Sequence, residues 1–161
     1  PRVLDVGCGT GFLTAVLARL VAPRGGCVVA IDVFIRQVEH AQRTLSECCP
    51  ELLPYVHFVV ADGLDYRDPR DRPFDAIAVG CQAEEVPESL IRMLAPGGRL
   101  VAPVGSRAPK GPRKAGLYRK YWLVEKGPGG SIAFSGRAGP IGVNFLPMLP
   151  AAPCKAQLAL P

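Results

Sequence analysis

The stretch Val3-Leu4-Asp5-Val6-Gly7-Cys8-Gly9-Thr10-Gly11, followed at once by the apolar run Phe12 to Val21, decides the fold of this 161-residue chain. It predicts a buried strand, a glycine turn and a helix. Glycines at alternate positions let the backbone bend sharply and leave no Cβ between it and a bound ligand. The helix offers unpaired N–H groups at its start. The stretch therefore predicts a ligand-binding turn after the first strand.

The spacing of the glycines indicates which ligand the turn accepts. A dinucleotide-binding fingerprint reads Gly-x-Gly-x-x-Gly, whereas this chain has Gly7, Gly9 and Gly11, with Asp5 two residues before the first glycine. This pattern resembles motif I of the class I S-adenosylmethionine-dependent methyltransferases. A sulfonium cofactor has no phosphate to neutralise, but it carries an α-amino group that an acidic residue at the turn can hold. The resemblance implies S-adenosyl-L-methionine as cofactor and S-adenosyl-L-homocysteine as product.

The length predicts a single domain, which we expect to span residues 1–149, followed by an irregular tail over 150–161. No apolar run approaches the ~20 residues that a membrane helix needs. No signal peptide is predicted, because the chain opens almost directly on a core strand. We therefore expect a cytoplasmic monomer that does not bind membranes.

The cysteines and the net charge exclude some classes of site. The six cysteines form no Cys-x-x-Cys pair and have no neighbouring histidine ligands, so no metal site is predicted, and free thiols in a reducing cytosol are favoured. The net charge is +5, with much of the excess between Arg107 and Lys120. Because this basic segment is mixed with proline and glycine and has no aromatic residue before Tyr118, we interpret it as a solvated loop rather than a nucleic-acid surface.

Strands and helices alternate along the first hundred residues, which favours a mostly parallel sheet covered on both faces. We predict a Rossmann-like, doubly wound α/β fold with a C-terminal antiparallel hairpin. The predicted strands are residues 2–6, 27–31, 56–61, 74–79, 99–103, 121–125, 132–134 and 142–146. The predicted helices are residues 11–21, 34–48 and 87–94.

Ligands of open parallel sheets bind outside the carboxyl ends of the strands. Asp32 stands at the end of the second predicted strand, where a carboxylate can accept two hydrogen bonds from a ribose diol. Asp62 ends the third, placed to accept from an adenine amino group, and Gly80 and Cys81 end the fourth, where a methyl acceptor would meet the sulfonium. Asp75 starts a strand, so we interpret it as a structural residue at the opposite edge.

Longer segments narrow the resemblance. Residues 73–80, 86–90, 94–105 and 142–147, together with Leu13-Thr14-Ala15, are similar to the protein-L-isoaspartate O-methyltransferases. The Leu-x-Pro-Gly-Gly turn at 94–98 is common to many class I methyltransferases, whereas the Pro-Val-Gly that follows and the late Val-x-Phe-x-Pro are more specific. The similarity runs from about residue 2 to residue 149.

The resemblance implies an enzyme that methylates the α-carboxylate of L-isoaspartyl residues in damaged peptides and proteins, after which the ester closes to a succinimide without further help. We assign no catalytic residue, because a carboxylate is already ionised at neutral pH and can be activated by alignment and water exclusion alone. The positions implied for the cofactor are Asp5, Gly7, Cys8, Gly9, Gly11, Asp32, Val33, Asp62 and Gly63. Those implied for the peptide substrate are Val79, Gly80, Cys81 and Leu146.

Two departures from the family pattern concern activity. The family carries an upstream helical segment whose place would be before Pro1, and it usually has a threonine where this chain has Leu149. We therefore expect this chain to keep the cofactor fold but to bind weakly or turn over poorly. Two alternatives stay open: an RNA or small-molecule methyltransferase that uses the basic loop, and a methyltransferase-like module that binds without turnover.

Overall fold

The computed structural model describes residues 1–105, 120–138 and Met148, and within them it shows a seven-stranded sheet with helices. The strands are β1 (Arg2–Val6), β2 (Cys27–Asp32), β3 (Val56–Val60), β4 (Phe74–Val79), β5 (Leu94–Val104), β6 (Lys120–Lys126) and β7 (Ile132–Ala138). The helices are α1 (Phe12–Val21), α2 (Ile35–Cys48) and α3 (Glu88–Arg92), with 3₁₀ turns at Ala22–Arg24 and Pro50–Tyr55.

The strands lie in the order β3-β2-β1-β4-β5-β6-β7. The first five strands in the chain pair in parallel, while β5 with β6 and β6 with β7 pair antiparallel. The chain builds the sheet outward from β1, first through β2 and β3 and then through β4 and β5 on the other side. This reversal beside β1 is the place where open α/β sheets bind ligands. The predicted mostly parallel sheet with a C-terminal antiparallel hairpin is confirmed.

The two faces of the sheet bury separate apolar clusters, because successive residues of a strand point to opposite faces. Val3 packs with the buried side of α1 and α2, for example with Ala18 and Leu45. Leu4 packs on the other face, in a cluster with α3 and the large side chains of β4 and β5. The buried positions of α2 fall at helical spacing and its charged residues face outward, as the sequence predicts.

The structure corrects several element boundaries. β5 already begins at Leu94, and residues 95–98 form an irregularity between the pairs Phe74–Leu94 and Ala76–Arg99. Gly97, with φ of 80°, permits this bulge. The helix predicted over 87–94 is only the five residues of α3, and β7 is longer than predicted. The predicted strand 142–146, the tail 150–161 and most of the basic loop lie outside the described residues.

The connection between β3 and β4 contains no helix and is held by Arg2, which comes from β1. The Arg2 guanidinium lies 2.8 Å from an Asp68 carboxylate oxygen, donates to the Arg72 carbonyl at 2.6 Å, and sits 4.1 Å from the centre of the Phe74 ring. The Arg2 backbone N–H also donates to Asp75 at 2.6 Å. The interpretation of Asp75 as a structural residue is therefore confirmed. No helix in the described ranges is long and apolar enough to cross a membrane.

Candidate functional site

The glycine turn after β1 is tied to the end of β2. Gly7, Gly9 and Gly11 all have positive φ, at 81°, 51° and 81°, a conformation that other residues adopt only with strain. The N–H groups of Gly7 and Cys8 both donate to the Ile31 carbonyl, at 2.8 and 3.0 Å. The sequence of alternate glycines is thus what lets the chain leave β1, touch β2 and enter α1.

Asp32 fixes the outer part of the turn. One of its carboxylate oxygens accepts from the Gly9 N–H at 3.1 Å, and the other accepts from the Phe34 N–H at 3.1 Å. The residue is 9% exposed and the neighbouring Val33 is half-buried. Because each carboxylate oxygen has a second lone pair, Asp32 can hold the turn and still accept hydrogen bonds from a ligand.

The end of β4 meets the turn at van der Waals distance. The Gly80 N–H donates to the Val6 carbonyl at 2.7 Å, and a Cβ at Gly80 would lie 2.9 Å from the Gly7 carbonyl oxygen. A Cβ at Gly7 would in turn lie 3.4 Å from the Cys81 sulfur. The glycine at position 80 is therefore required for the two strand ends to approach.

Cys81 is an unreactive thiol in this position. Its burial, with the nearby charges of Asp32 and Asp5, raises its pKa to about 12. Cys8, in the turn, has its pKa raised to about 12 for the same reasons. Since the thiolate is the reactive form of cysteine, neither residue is a nucleophile at neutral pH.

The segment after β3 folds over β1. A Cβ at Gly63 would lie 2.5 Å from the Val6 side chain, so only glycine fits there. Asp62 is half-buried and accepts from the Leu64 N–H at 2.8 Å, which closes a local turn. The Met148 N–H donates to the Gln82 carbonyl at 2.7 Å, which places Met148 at the same edge of the sheet.

Asp5 lies beneath the turn, fully buried on the α1 side of the sheet. Its Oδ2 accepts from the Thr14 hydroxyl at 2.6 Å, while its Oδ1 has no hydrogen-bond partner in the part of the chain that the structure describes. Burial raises the pKa of Asp5 to about 6, the Thr14 hydrogen bond opposes that increase, and the charge of Asp32 adds to it. We expected Asp5 to hold a ligand's amino group. In the structure this carboxylate lies buried between β1 and α1, where it accepts from Thr14, and its role toward a ligand stays a prediction.

The structure brings most of the predicted site residues to one edge. Gly7, Gly9, Asp32 and Gly80 are joined by the contacts above, and Gly63 and Cys81 each contact the end of β1 or its turn. Gly11 instead serves the packing of α1 on α2, because a Cβ there would lie 3.0 Å from that of Ala41.

Two of the residues predicted to bind the peptide cannot be placed on an open surface. The Val79 side chain is buried in the core, so only its backbone is available to a ligand. Leu146 lies outside the described residues. Among the described residues, no three histidine, cysteine or acidic side chains are grouped to hold a metal ion.

Thr14 is the residue that the sequence reasoning missed as part of the site. The available signal was its position, a polar side chain in an apolar helix at the spacing of the buried Ala18 and Val21. That spacing places Thr14 on the buried face of α1, and a buried hydroxyl in a structure requires a partner. Asp5 is the polar residue of β1 that faces the same helix.

A mostly parallel sheet that reverses beside β1, with a Gly-x-Gly-x-Gly turn after β1, an acid at the end of β2 and two antiparallel strands at one side, matches the class I methyltransferase fold. The family model described as protein-L-isoaspartate(D-aspartate) O-methyltransferase matches residues 1–120. The chain belongs to this family.

Relatives and solved structures agree with that membership. The chain is 34% identical over 148 residues to the protein-L-isoaspartate O-methyltransferase of Methanopyrus kandleri, covering 92% of this chain and 58% of that protein. It is 32% identical over 149 residues to protein-L-isoaspartate O-methyltransferase 1 of Arabidopsis thaliana, covering 91% and 59%. The chain thus spans less than two thirds of the length of these relatives.

Two solved structures share the fold. A protein-L-isoaspartate O-methyltransferase structure superposes with a TM-score of 0.72 at 27% identity, covering 93% of this chain and 42% of the other. The second is a structure from Plasmodium falciparum, assigned as a protein-L-isoaspartate O-methyltransferase and solved in complex with S-adenosyl-L-homocysteine. It superposes with a TM-score of 0.72 at 22% identity, covering 92% of this chain and 65% of the other.

Proposed function

We propose that this chain transfers a methyl group from S-adenosyl-L-methionine to the α-carboxylate of L-isoaspartyl residues in damaged peptides and proteins. The reaction is inferred from the family to which the chain belongs. The observation that supports it in this chain is that three strand ends meet at the glycine turn: Asp32 accepts from the Gly9 N–H, and Gly80 closely approaches Gly7. The turn and the end of β4 that faces it are both formed by glycines. A ligand there would therefore be surrounded by backbone atoms rather than side chains, with an acid beside it.

The residues present fit this cofactor. Asp32 and Asp62 have the oxygen acceptors that a ribose diol and an adenine amino group require. Apart from its chain neighbours, a Cβ at Gly9 would meet one atom of the described residues within 4 Å, the Gly7 carbonyl oxygen, so this part of the chain leaves room for a ligand at the turn. The Asp5 oxygen without a partner adds a negative charge under the turn, which suits a ligand that carries ammonium and sulfonium groups. When bound, the cofactor supplies an electrophilic methyl group.

The chain's own residues orient the reactants. An isoaspartyl carboxylate needs no general base, because it is ionised at neutral pH. Catalysis then depends on holding the carboxylate in line and on excluding water. The small Gly80 gives the acceptor access at the end of β4. The high pKa values of Cys8 and Cys81 keep both thiols protonated, so neither competes for the methyl group.

The remaining parts of the proposal concern context. We infer that the chain acts as a monomer in the cytoplasm on proteins that contain isoaspartate, and that residues 1–149 form the methyltransferase domain. The contacts of the described residues give no support to an RNA substrate. The basic residues that would favour RNA fall largely in the segment outside the described ranges.

The test is methyl ester formation on a peptide with one L-isoaspartyl residue, compared with its aspartyl twin. We expect labelling of the isoaspartyl peptide alone, as a base-labile ester. Asp32→Asn should weaken binding of S-adenosyl-L-homocysteine, measured by calorimetry. Asp75→Asn, at the opposite edge of the sheet, is the matched control and should not weaken it.

Each other outcome contradicts part of the proposal. Equal labelling of both peptides would exclude isoaspartate selectivity, and labelling of RNA instead would favour the first alternative. Binding of S-adenosyl-L-homocysteine without any labelling would identify a module that binds without turnover. Absence of binding would reject the cofactor site itself.

A further inference from the structure

We propose that Thr14 is a positioning residue that keeps the buried Asp5 carboxylate charged beneath the glycine turn. By doing so it raises the affinity of the site for the sulfonium form of the cofactor relative to the neutral thioether product. The inference rests on the proposed function, because it assumes that the turn binds this cofactor.

The geometry makes Thr14 the support of this charge. Thr14 and Asp5 are both fully buried, and the hydroxyl donates to the carboxylate at 2.6 Å. The second carboxylate oxygen has no partner, and no ion pair with Asp5 occurs among the described residues. A hydrogen bond donated to a carboxylate favours its ionised form. The Thr14 hydroxyl is thus the side-chain donor on which the ionisation of Asp5 depends in the described part of the chain.

Among the residues that the structure describes, no positively charged group compensates the charge of Asp5. Asp32, at the end of β2, is negative and raises the pKa of Asp5. The thiols of Cys8 and Cys81 feel the charge of Asp5 and are neutral at physiological pH. The turn therefore lies over two carboxylates, and the thiols beside it contribute no positive charge.

A buried charge of this kind distinguishes the two forms of the cofactor. The methyl donor and its thioether product share the nucleoside and the amino-acid part, and they differ by one methyl group and one positive charge. Burial weakens screening by water and salt, so a carboxylate acts over a longer distance than at the surface. The negative potential under the turn consequently stabilises the donor more than the product.

The pH dependence provides a signature that a purely structural role would not give. Asp5 titrates at about 6 with the Thr14 hydrogen bond in place. Removing the hydroxyl takes away a group that lowers this pKa, so the carboxylate of a Thr14→Val variant shifts toward its neutral form at pH 7. Raising the pH then restores the charge in this variant, whereas nothing restores it in Asp5→Asn.

The experiment measures Kd for S-adenosyl-L-methionine and for S-adenosyl-L-homocysteine by calorimetry, at pH 7 and pH 8.5. The variants are Thr14→Val, Thr14→Ser and Asp5→Asn. We expect the ratio of the donor's Kd to the product's Kd to rise about tenfold, or about 1.4 kcal/mol, in Thr14→Val and Asp5→Asn at pH 7. Thr14→Ser should keep the original ratio. At pH 8.5 the ratio of Thr14→Val should return toward the original and that of Asp5→Asn should not.

Several results would overturn the inference. Equal weakening of both ligands in Thr14→Val, with no recovery at pH 8.5, would indicate a structural role alone. An unchanged ratio in Asp5→Asn would show that the charge does not discriminate the two ligands. If the unaltered chain bound neither ligand, the proposed function would fail first, and this inference with it.

Discussion

Gly80 has no side chain beyond a hydrogen atom, and this lets the end of β4 lie against the turn after β1. A Gly80→Ala substitution places a Cβ 2.9 Å from the Gly7 carbonyl oxygen, a backbone atom that cannot rotate away. We expect the free energy of unfolding to fall by about 1–3 kcal/mol, measured by urea denaturation, together with weaker binding of S-adenosyl-L-homocysteine. Gly129→Ala is the matched control, since a Cβ there meets no atom of the described ranges within 4 Å. Equal stability of the two variants would contradict the close approach.

The burial of Asp5 predicts an unusual pH dependence of stability. Its pKa of about 6 in the folded chain lies above the ordinary 3.8, so the folded state binds this proton more tightly than the unfolded state does. The resulting stabilisation is present below about pH 4 and is lost as the pH rises through 6. The Asp5→Asn variant has no titrating group at this position, so it does not lose this stabilisation as the pH rises. Its stability relative to the unaltered chain should therefore improve by about 2–3 kcal/mol between pH 4 and pH 7.

Differential scanning calorimetry of both proteins across that pH range is the measurement. The comparison cancels the titration of every other acid, because only position 5 differs. A constant difference between the two proteins would show that Asp5 titrates near its ordinary value. A difference that changed in the opposite direction would show that a cation compensates Asp5 in solution.

Single residues also show where sequence reasoning reaches its limit. The position of Asp32 beside the glycine turn was predictable, because the carboxyl ends of neighbouring parallel strands meet at one edge of the sheet. Thr14 was not predicted as part of the site, because its role depends on which strand residue faces it, and that depends on tertiary packing. The contact between Gly11 and Ala41 also depends on tertiary packing, and the sequence predicts Gly11 only as a cofactor position.

At the scale of elements, the connection from β3 to β4 depends on one ion pair. The side chains of Arg2 and Asp68 are 10% and 7% exposed, respectively. Burial raises the pKa of Asp68, but the hydrogen bonds from Arg2 and the nearby backbone lower it further, to below its usual value. Asp68→Asn should cost about 3 kcal/mol of stability at neutral pH, because it leaves the buried Arg2 charge without its carboxylate partner, with only the Arg72 carbonyl and the Phe74 ring beside it.

The matched control is Glu125→Gln, which breaks the exposed Arg99–Glu125 pair, 69% and 45% exposed. Exposed pairs contribute about 0–1 kcal/mol, so urea denaturation should separate the two variants clearly. Hydrogen exchange should also accelerate in residues 62–73 of the Asp68→Asn variant only. Similar costs for both variants would mean that Arg2 and Asp68 are solvated in solution.

The outer face of α1 carries large apolar side chains that are exposed to solvent. Phe12 and Leu20, two turns apart on this helix, are 75% and 62% exposed. A combined Phe12→Ser and Leu20→Ser variant should bind less of a hydrophobic dye and stay soluble at higher concentration, because it removes exposed apolar area. Its unfolding free energy should change by less than about 1 kcal/mol. Leu45→Ser, at a buried position of α2, is the contrasting control, and its free energy of unfolding should fall by several times more.

At the scale of the whole molecule, the sheet was more predictable than its details. Strands that alternate with helices along the sequence predict a parallel sheet, because neighbouring parallel strands must be joined by crossover connections, which are usually helices. The sequence predicts no helix between β3 and β4, and the structure confirms this. The bulge at 95–98 and the way in which Arg2 holds that connection were not predictable, because each is set by contacts distant in sequence. Phe74 pairing with Leu94, and Arg2 reaching Asp68, are examples.

Ligand binding should therefore stabilise one half of the sheet more than the other. S-adenosyl-L-homocysteine at about one hundred times its Kd should raise the unfolding free energy by about 2.7 kcal/mol. Added protection from hydrogen exchange should concentrate at the carboxyl ends of β1, β2 and β4, where the turn, Asp32 and Gly80 meet. The antiparallel strands β6 and β7 lie at the far edge of the sheet and should gain protection only to the extent that global unfolding becomes rarer. Protection confined to β6 and β7 would place the ligand elsewhere and would contradict the site at the turn.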